Sequence, residues 1–77
     1  AAILIAIGPA GEIYMDGRRI DVRQVKANVI RLMAENPQGA VVMQADKKAT
    51  AEKIIAVMDE VREAGVIDIS IASEPNF

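Results

Sequence analysis

The segment VIDISIA, residues 66–72, alternates between apolar and polar side chains, and this alternation limits the architectures open to the whole chain. Its three isoleucines fall on one side of an extended chain, whereas Asp68 and Ser70 fall on the other. A strand that is covered on both faces would be apolar throughout. The sequence therefore predicts a sheet with one face in solvent.

Four further segments have the composition or the alternation of strands. They are residues 2–7, 12–15, 18–20 and 40–45. The first and last are short and apolar, and in the second Ile13 and Met15 share one side of an extended chain. The four-residue turn GPAG at 8–11 predicts that the first two strands form an antiparallel hairpin. The piece at 18–20 is predicted only as a short extended segment.

Two segments have the apolar spacing of amphipathic helices. Asp21 is a suitable N-cap with Gln24 at capping-box spacing, and the helix that it begins is predicted to end near Glu35. Thr50 is the predicted N-cap of a second helix at 51–64. The apolar stripes are Val22, Val25, Val29, Leu32 and Met33 in the first helix, and Ala51, Ile54, Val57, Met58 and Val61 in the second.

Gly65 follows the second helix at the position where a left-handed C′ residue ends many helices. In such a cap the next residue, Val66, contacts a residue of the last helical turn, which here is Val61. We therefore expect a positive φ at Gly65.

The resulting order of elements is β-β-α-β-α-β, apart from the short piece at 18–20. Each strand-helix-strand unit is expected to make parallel strands with a right-handed crossover. The solvated face inferred from residues 66–72 requires both helices to lie on the other face. The sequence therefore predicts an α/β fold, a two-layer sandwich with two helices packed on one face of a mixed sheet. The 77 residues, 1–77, are expected to form a single domain.

The composition argues against several classes of function. The chain has no histidine and no cysteine, which removes the commonest general base and the usual ligands of transition metals. It has no phosphate-binding loop of the Walker type. Its net charge is −2 and it has only two aromatic residues, so it lacks the basic and stacking surfaces that bind nucleic acid. We expect no enzymatic activity, no cofactor and no metal.

Asp46, Lys47 and Lys48 follow the predicted strand 40–45 at its carboxyl end, where open α/β sheets bind ligands. A catalytic lysine needs burial to lower its pKa, and adjacent lysines in a short polar turn are expected to be exposed. The residues alone therefore favour a structural turn. The alternative is a small soluble ligand-binding or catalytic domain that uses the edge formed by these three residues.

Charge is distributed unevenly along the chain. Residues 1–31 carry five basic and three acidic groups, and residues 32–77 carry four and eight. Glu52, Asp59 and Glu63 form an acidic stripe on the predicted outer side of the second helix. A solvated helix face is the more common meaning of such a stripe, and a basic partner is the alternative. The asymmetry is suited to orienting a partner or a second copy of the chain.

The chain resembles the periplasmic domain of the ExbD/TolR family over almost all of its 77 residues. The resemblance is carried by Ala45-Asp46-Lys47, Val57-Met58-Asp59, Ala64-Gly65 and the hairpin Gly11–Gly17. The short motifs Ala-Asp-Lys and Val-Met-Asp resemble the ExbD branch of the family more than the TolR branch. One departure is Ala51, where the family often has an aromatic residue at the start of the second helix.

The resemblance implies a periplasmic domain of a bacterial inner-membrane protein, whose transmembrane helix would lie upstream of Ala1 and carry the aspartate linked to proton flow. It also implies a homodimer that works with an ExbB-like channel protein and a TonB-like protein, so that proton motive force energises outer-membrane transport. A TolR-like component of a TolQ–TolR–TolA-type complex for envelope integrity is the runner-up. By the same resemblance, the residues of the family motif are Asp46, Lys47, Met58, Asp59 and Gly65.

The last strand is predicted to lie at an edge of the sheet, since only a polar tail follows it. An edge strand presents backbone donors and acceptors that another strand can pair with. We expect this edge to bind a second copy of the domain or an extended segment of a TonB-like protein. The predicted partner-binding residues are Ile67, Asp68, Ile69, Ser70, Ile71 and Ala72.

Overall fold

A computed structural model describes residues 2–37 and 39–73, which form one five-stranded mixed sheet with two α-helices on one of its faces. In chain order the elements are β1 (Ile3–Ile7), β2 (Ile13–Met15), β3 (Arg18–Ile20), a 3-10 turn (Val22–Gln24), α1 (Val25–Glu35), β4 (Val41–Ala45), α2 (Ala51–Glu63) and β5 (Ile69–Ser73). The predicted two-layer α/β sandwich is confirmed.

The strands lie in the order β3-β2-β1-β4-β5. β1 and β2 form the predicted antiparallel hairpin, and β3 continues it as a third antiparallel strand. β4 runs parallel to β1 and β5 runs parallel to β4, as expected for strands that are joined through helices. β3 and β5 are therefore the two edge strands of the sheet.

The core lies between the helices and alternate residues of the strands. In β1, Ile3, Ile5 and Ile7 are buried, whereas Leu4 between them is 49% exposed on the opposite face of the sheet. The helices bury four valines with no exposed surface, which are Val25, Val29, Val57 and Val61. Each fully buried valine contributes about 1.5–3 kcal/mol relative to an exposed one. Among the described residues no polar or charged side chain is buried.

The first turn of the first helix is a 3-10 turn, so the α-helix begins at Val25 rather than directly after Asp21. The predicted capping box is present. The Asp21 carboxylate accepts a hydrogen bond from the Arg23 backbone N–H at 2.9 Å, and the Gln24 side chain accepts one from the Asp21 backbone N–H at 2.8 Å. The box satisfies two backbone donors that would otherwise lack partners at the helix start.

Side chains and backbone cap both ends of α2. The Thr50 hydroxyl accepts a hydrogen bond from the Lys53 backbone N–H at 3.2 Å. At the other end Gly65 has a φ of 95°, and its N–H donates to the Arg62 carbonyl at 2.9 Å. The Val66 N–H reaches the Val61 carbonyl at 3.5 Å, which completes a Schellman motif. The prediction of a left-handed C′ residue at Gly65 is confirmed.

Two details of the predicted elements are wrong. Ala51 is exposed and does not belong to the buried stripe of α2, because it lies in the first turn of that helix, outside the core cluster. The last strand begins at Ile69 rather than at Val66. Val66 is buried and belongs to the helix cap, so the chain needs residues 66–68 to cross from the end of α2 to the sheet.

We predict that Gly65→Val lowers the free energy of unfolding by about 1 kcal/mol or more, because a β-branched residue is strained at positive φ. A Cβ at this position would meet no atom within 4 Å, so the loss reflects backbone strain rather than a clash. Gly65→Asn is the control, since asparagine tolerates this region better. Urea denaturation measures both, and an unchanged midpoint for Gly65→Val would contradict the cap.

The Asp21 cap predicts a dependence of stability on pH. The hydrogen bond from the Arg23 backbone N–H, and then that from the Arg23 side chain, hold the pKa of the Asp21 carboxyl below its ordinary value of 3.8. Because the pKa is lower in the folded protein, the charged carboxylate stabilises the fold fully above about pH 3.8, the value expected for the unfolded chain. This stabilisation is lost as the pH falls through the folded pKa.

The Asp21→Asn variant keeps a capping oxygen but does not titrate. We expect wild type to be more stable than this variant at neutral pH, and the difference to shrink as the pH is lowered below about 3.8. Urea melts of both proteins between neutral pH and pH 2 measure the difference. A difference that stays constant over this range would contradict the assigned role of the carboxylate.

Candidate partner-binding site

β5 is the edge strand on which the sequence placed the partner-binding residues. Among the described residues it pairs only with β4, in register from Val41 opposite Ile69 to Ala45 opposite Ser73. Ile69, Ser70, Ile71 and Ala72 lie in this strand. Ile67 and Asp68 do not, and this part of the prediction is corrected because the helix cap delays the start of the strand.

The hydrogen bonds to β4 determine which backbone groups of β5 remain free. The Val41 N–H donates to the Asp68 carbonyl at 3.1 Å. Along a parallel strand, alternate residues turn both backbone groups toward the same neighbour. Ser70 and Ala72 therefore continue the bonds to β4, and Ile69 and Ile71 direct their N–H and C=O groups outward. Within the described residues these outward groups form the unpaired edge.

The side chains of β5 divide between the two faces of the sheet. Ile69 is half-buried and packs against the core, whereas Ile71 is 48% exposed on the same side because it lies beyond the core cluster. Ser70 and Ala72 are exposed on the open face, which is the face opposite the helices, and lie beside Val42 and Gln44. A strand added at this edge would cover the exposed part of Ile71.

Ile67 is 98% exposed in the loop before β5. The Asp68 side chain is exposed too, although its carbonyl is used by β4. These two residues therefore flank the strand at its amino end. They are available to a partner through their side chains, not through a free edge.

Asp46 organises the turn between β4 and α2. Its N–H donates to the Ile7 carbonyl at 2.8 Å, its carbonyl accepts from the Ala49 N–H at 2.8 Å, and its carboxylate accepts from the Lys48 N–H at 2.9 Å. Lys47 and Lys48 are exposed. The carboxylate is thus engaged within the turn that it forms, which agrees with the structural interpretation.

We predict that Asp46→Ala lowers the free energy of unfolding by about 1 kcal/mol, because the turn loses the hydrogen bond to the Lys48 N–H. Asp46→Asn retains an acceptor oxygen and should lose less. Lys48→Ala, which removes only an exposed side chain, should stay within about 0.5 kcal/mol of wild type. Chemical denaturation compares the three variants. Equal stabilities for Asp46→Ala and Lys48→Ala would contradict the role of the carboxylate.

The other family-motif residues and the acidic stripe occupy α2. Met58 is half-buried against the core, and Asp59 is exposed. Glu52 and Glu63 are exposed as well, so the predicted acidic stripe lies in solvent. Glu60 has a role that the sequence did not indicate: its carboxylate accepts a hydrogen bond from the Lys26 backbone N–H at 3.3 Å and so joins the two helices.

Two surface features escaped the sequence analysis. A cavity of about 450 Å³ is lined by Leu4, Ala6 and Tyr14 of the open face and also by Leu32 of α1. The sequence feature that could have indicated this cavity is the uninterrupted apolar composition of residues 2–7, which is unusual for a strand with a solvated face. The second feature is a cavity of about 220 Å³ lined by arginines of β3 and α1. No spacing rule joins those arginines along the chain, because only the packing of α1 brings them together.

Residues 2–37 and 39–73 contain no group of three or more His, Cys, Asp or Glu residues arranged to hold a metal ion. No helix in this part of the chain is long and apolar enough to cross a membrane.

The described residues define a class of protein: an open-sheeted two-layer α/β fold with a free strand at each edge. Residues 1–76 match the family described as Biopolymer transport protein ExbD/TolR. Over 74 residues the chain is 39% identical to Biopolymer transport protein exbD2 of Vibrio cholerae serotype O1 (strain ATCC 39315 / El Tor Inaba N16961), covering 96% of this chain and 55% of that relative. The chain belongs to the ExbD/TolR family.

Proposed function

We propose that the chain is the non-enzymatic periplasmic module of a proton-motive-force-driven complex of the ExbB–ExbD–TonB type. In this role it transmits the energy of proton flow to a protein that acts on outer-membrane transport. Membership of a family of biopolymer transport proteins supports the general role. The observation that carries the specific proposal is the β5 edge, which no other described strand covers and which offers a place for a partner to dock.

The proposal assigns the membrane-spanning helix, and the aspartate linked to proton flow, to a part of the protein other than residues 1–77. The chain spans 55% of the length of the Vibrio cholerae relative, so that relative has room for further elements. Sequencing the coding region upstream of Ala1 tests this point. One apolar segment of about 20 residues that contains an aspartate supports the proposal.

At the β5 edge the proposed mechanism is strand addition. An extended segment of a TonB-like protein, or β5 of a second copy, pairs with the outward backbone groups of Ile69 and Ile71. Backbone hydrogen bonds supply much of the affinity, and Ser70 and Ala72 on the open face contribute selectivity. The affinity is modest because a flexible segment loses conformational entropy when it docks. Modest affinity suits a coupling protein, which must bind and release its partner repeatedly.

The two alternative functions receive less support. A TolR-like role in a TolQ–TolR–TolA-type complex remains within the same family, and the name of the Vibrio cholerae relative favours the ExbD branch. A ligand-binding or catalytic domain would need free groups at Asp46, and that carboxylate already accepts a hydrogen bond from the Lys48 N–H. The ExbD-like coupling role is therefore the better supported proposal.

We predict that overlapping peptides from the periplasmic part of the TonB-like partner shift the amide resonances of residues 66–73 in an NMR titration. Ile71→Pro removes an outward N–H of the edge without removing a bond to β4, and proline is tolerated on edge strands. It should weaken peptide binding about tenfold or more, because the central edge hydrogen bond is lost. Ile71→Ala is the matched control for loss of the side chain and should bind more tightly than Ile71→Pro.

Dimerisation through the same edge is distinguished by dilution without peptide. Shifts of residues 66–73 that depend on protein concentration indicate a second copy of the chain at the edge. Peptide-induced shifts centred on Glu52, Asp59 and Glu63 would contradict strand addition and place docking on the acidic stripe. Equal binding by Ile71→Pro and Ile71→Ala would also contradict it.

A further inference from the structure

The edge of the sheet opposite β5 has a second, chemically different recess. A cavity of about 220 Å³ lies between β3 and α1, and the apolar side chains of Met15, Ile20 and Leu32 form part of its lining. Its charged lining consists of Arg18, Arg19, Arg31 and Asp16. Three arginines and one aspartate thus line the cavity, and the Glu35 carboxylate beside Arg31 reduces the local excess to one positive charge.

Arg31 is held in place by its neighbours on α1. Its Nη2 donates to Asn28 Oδ1 at 3.1 Å, and its Nη1 lies 3.5 Å from a Glu35 carboxylate oxygen. The Asn28 amide in turn donates to the Gln24 carbonyl at 2.7 Å. A guanidinium held this way loses less conformational entropy when it binds an anion.

The remaining donors at the cavity have no partner inside the described part of the chain. The backbones of Arg18 and Arg19 pair with β2, but their side chains make no hydrogen bond or ion pair with residues 2–37 or 39–73. Gln24 also lines the cavity, and its side-chain oxygen accepts from the Asp21 N–H, so its NH₂ group remains a donor. The recess therefore combines several donors with an apolar lining.

Protection of the edge strand does not explain this arrangement completely. Charged residues on a short edge strand discourage unwanted pairing, and this accounts for Arg18 and Arg19. Arg31 lies on α1, far from the pairing edge in sequence, yet it lines the same cavity. The convergence of arginines from two elements indicates an anion-binding recess.

We propose that this cavity binds the carboxylate of a glutamate side chain in an extended acidic segment of a partner protein. Arginine forks match the planar carboxylate and bind it through two hydrogen bonds. The apolar lining accommodates the methylene groups of the side chain. At about 220 Å³ the cavity is smaller than the ~300–1,000 Å³ of ordinary small-molecule sites, so it fits one side chain.

The site is separate from the proposed β5 interface. Four strand spacings of about 4.8 Å place β3 roughly 19 Å from β5 across the sheet. One domain can therefore engage an acidic segment at β3 while β5 pairs with another strand. The two interactions depend on different residues and are tested separately.

The test is an NMR titration of the chain with a blocked ten-residue peptide that carries glutamate at alternate positions, at low ionic strength. We expect shifts at the amides of residues 15–31. Arg18→Gln and Arg31→Gln should each weaken binding about tenfold, the usual effect of losing one charge-assisted hydrogen bond. The same peptide with glutamine in place of glutamate should bind at least tenfold more weakly.

Lys48→Gln is the matched control, since it also removes one positive charge from an exposed position, outside the cavity lining. It should change the affinity less than twofold. Arg31→Lys retains the charge but not the fork, and should bind between wild type and Arg31→Gln. Unchanged core resonances in each variant verify that the fold is intact.

Four outcomes would overturn the proposal. If Lys48→Gln lost as much affinity for the glutamate peptide as Arg31→Gln, the binding would reflect general charge attraction rather than the recess. Equal binding of the glutamine peptide would exclude carboxylate recognition. Shifts confined to residues 69–73 would assign the peptide to β5. Inorganic phosphate that binds as tightly as the glutamate peptide, at the same amides, would mean that the recess is a simple anion site.

Discussion

The fold depends on the packing of two valine stripes against one face of the sheet. Val25 and Val29 of α1, with Val57 and Val61 of α2, are fully buried against the isoleucines of β1 and β2. Because both helices use this one face, the other face of the sheet remains open. The small size of the helical layer also leaves the sheet edges uncovered among the described residues. The surfaces proposed for function follow from this one-sided packing.

The two edges of the sheet differ in chemistry, and the difference suits separate tasks. β5 presents isoleucine and small residues, and its outward backbone groups at Ile69 and Ile71 have no partner strand within the described part of the chain, which favours pairing with another strand. β3 is only three residues long and brings Arg18 and Arg19 beside a recess completed by Arg31. The chain belongs to a family of biopolymer transport proteins, and the two proposed docking surfaces lie at opposite edges of the sheet.

Two carboxylates at positions where active-site residues often occur, those of Asp46 and Asp21, organise local structure instead. Asp46 accepts the Lys48 N–H, and Asp21 accepts the Arg23 N–H. Asp21 lies at the start of a helical segment and Asp46 in the turn that precedes α2, and each carboxylate accepts a hydrogen bond from a backbone N–H two residues further on. Such a carboxylate is explained by capping or turn formation before any chemistry is invoked.

Apart from β3, the sequence by itself determined the order of the elements, the single covered face and the caps at Asp21, Thr50 and Gly65, because periodicity and capping depend on residues close along the chain. Its resemblance to the ExbD/TolR family was confirmed as well. The start of β5 at Ile69, the exposure of Ala51 and the cavity around Arg31 were decided by the tertiary structure. Each of these features depends on the length of chain needed to connect the helical layer to the sheet, or on which elements pack together. Residues that are distant in sequence determine both.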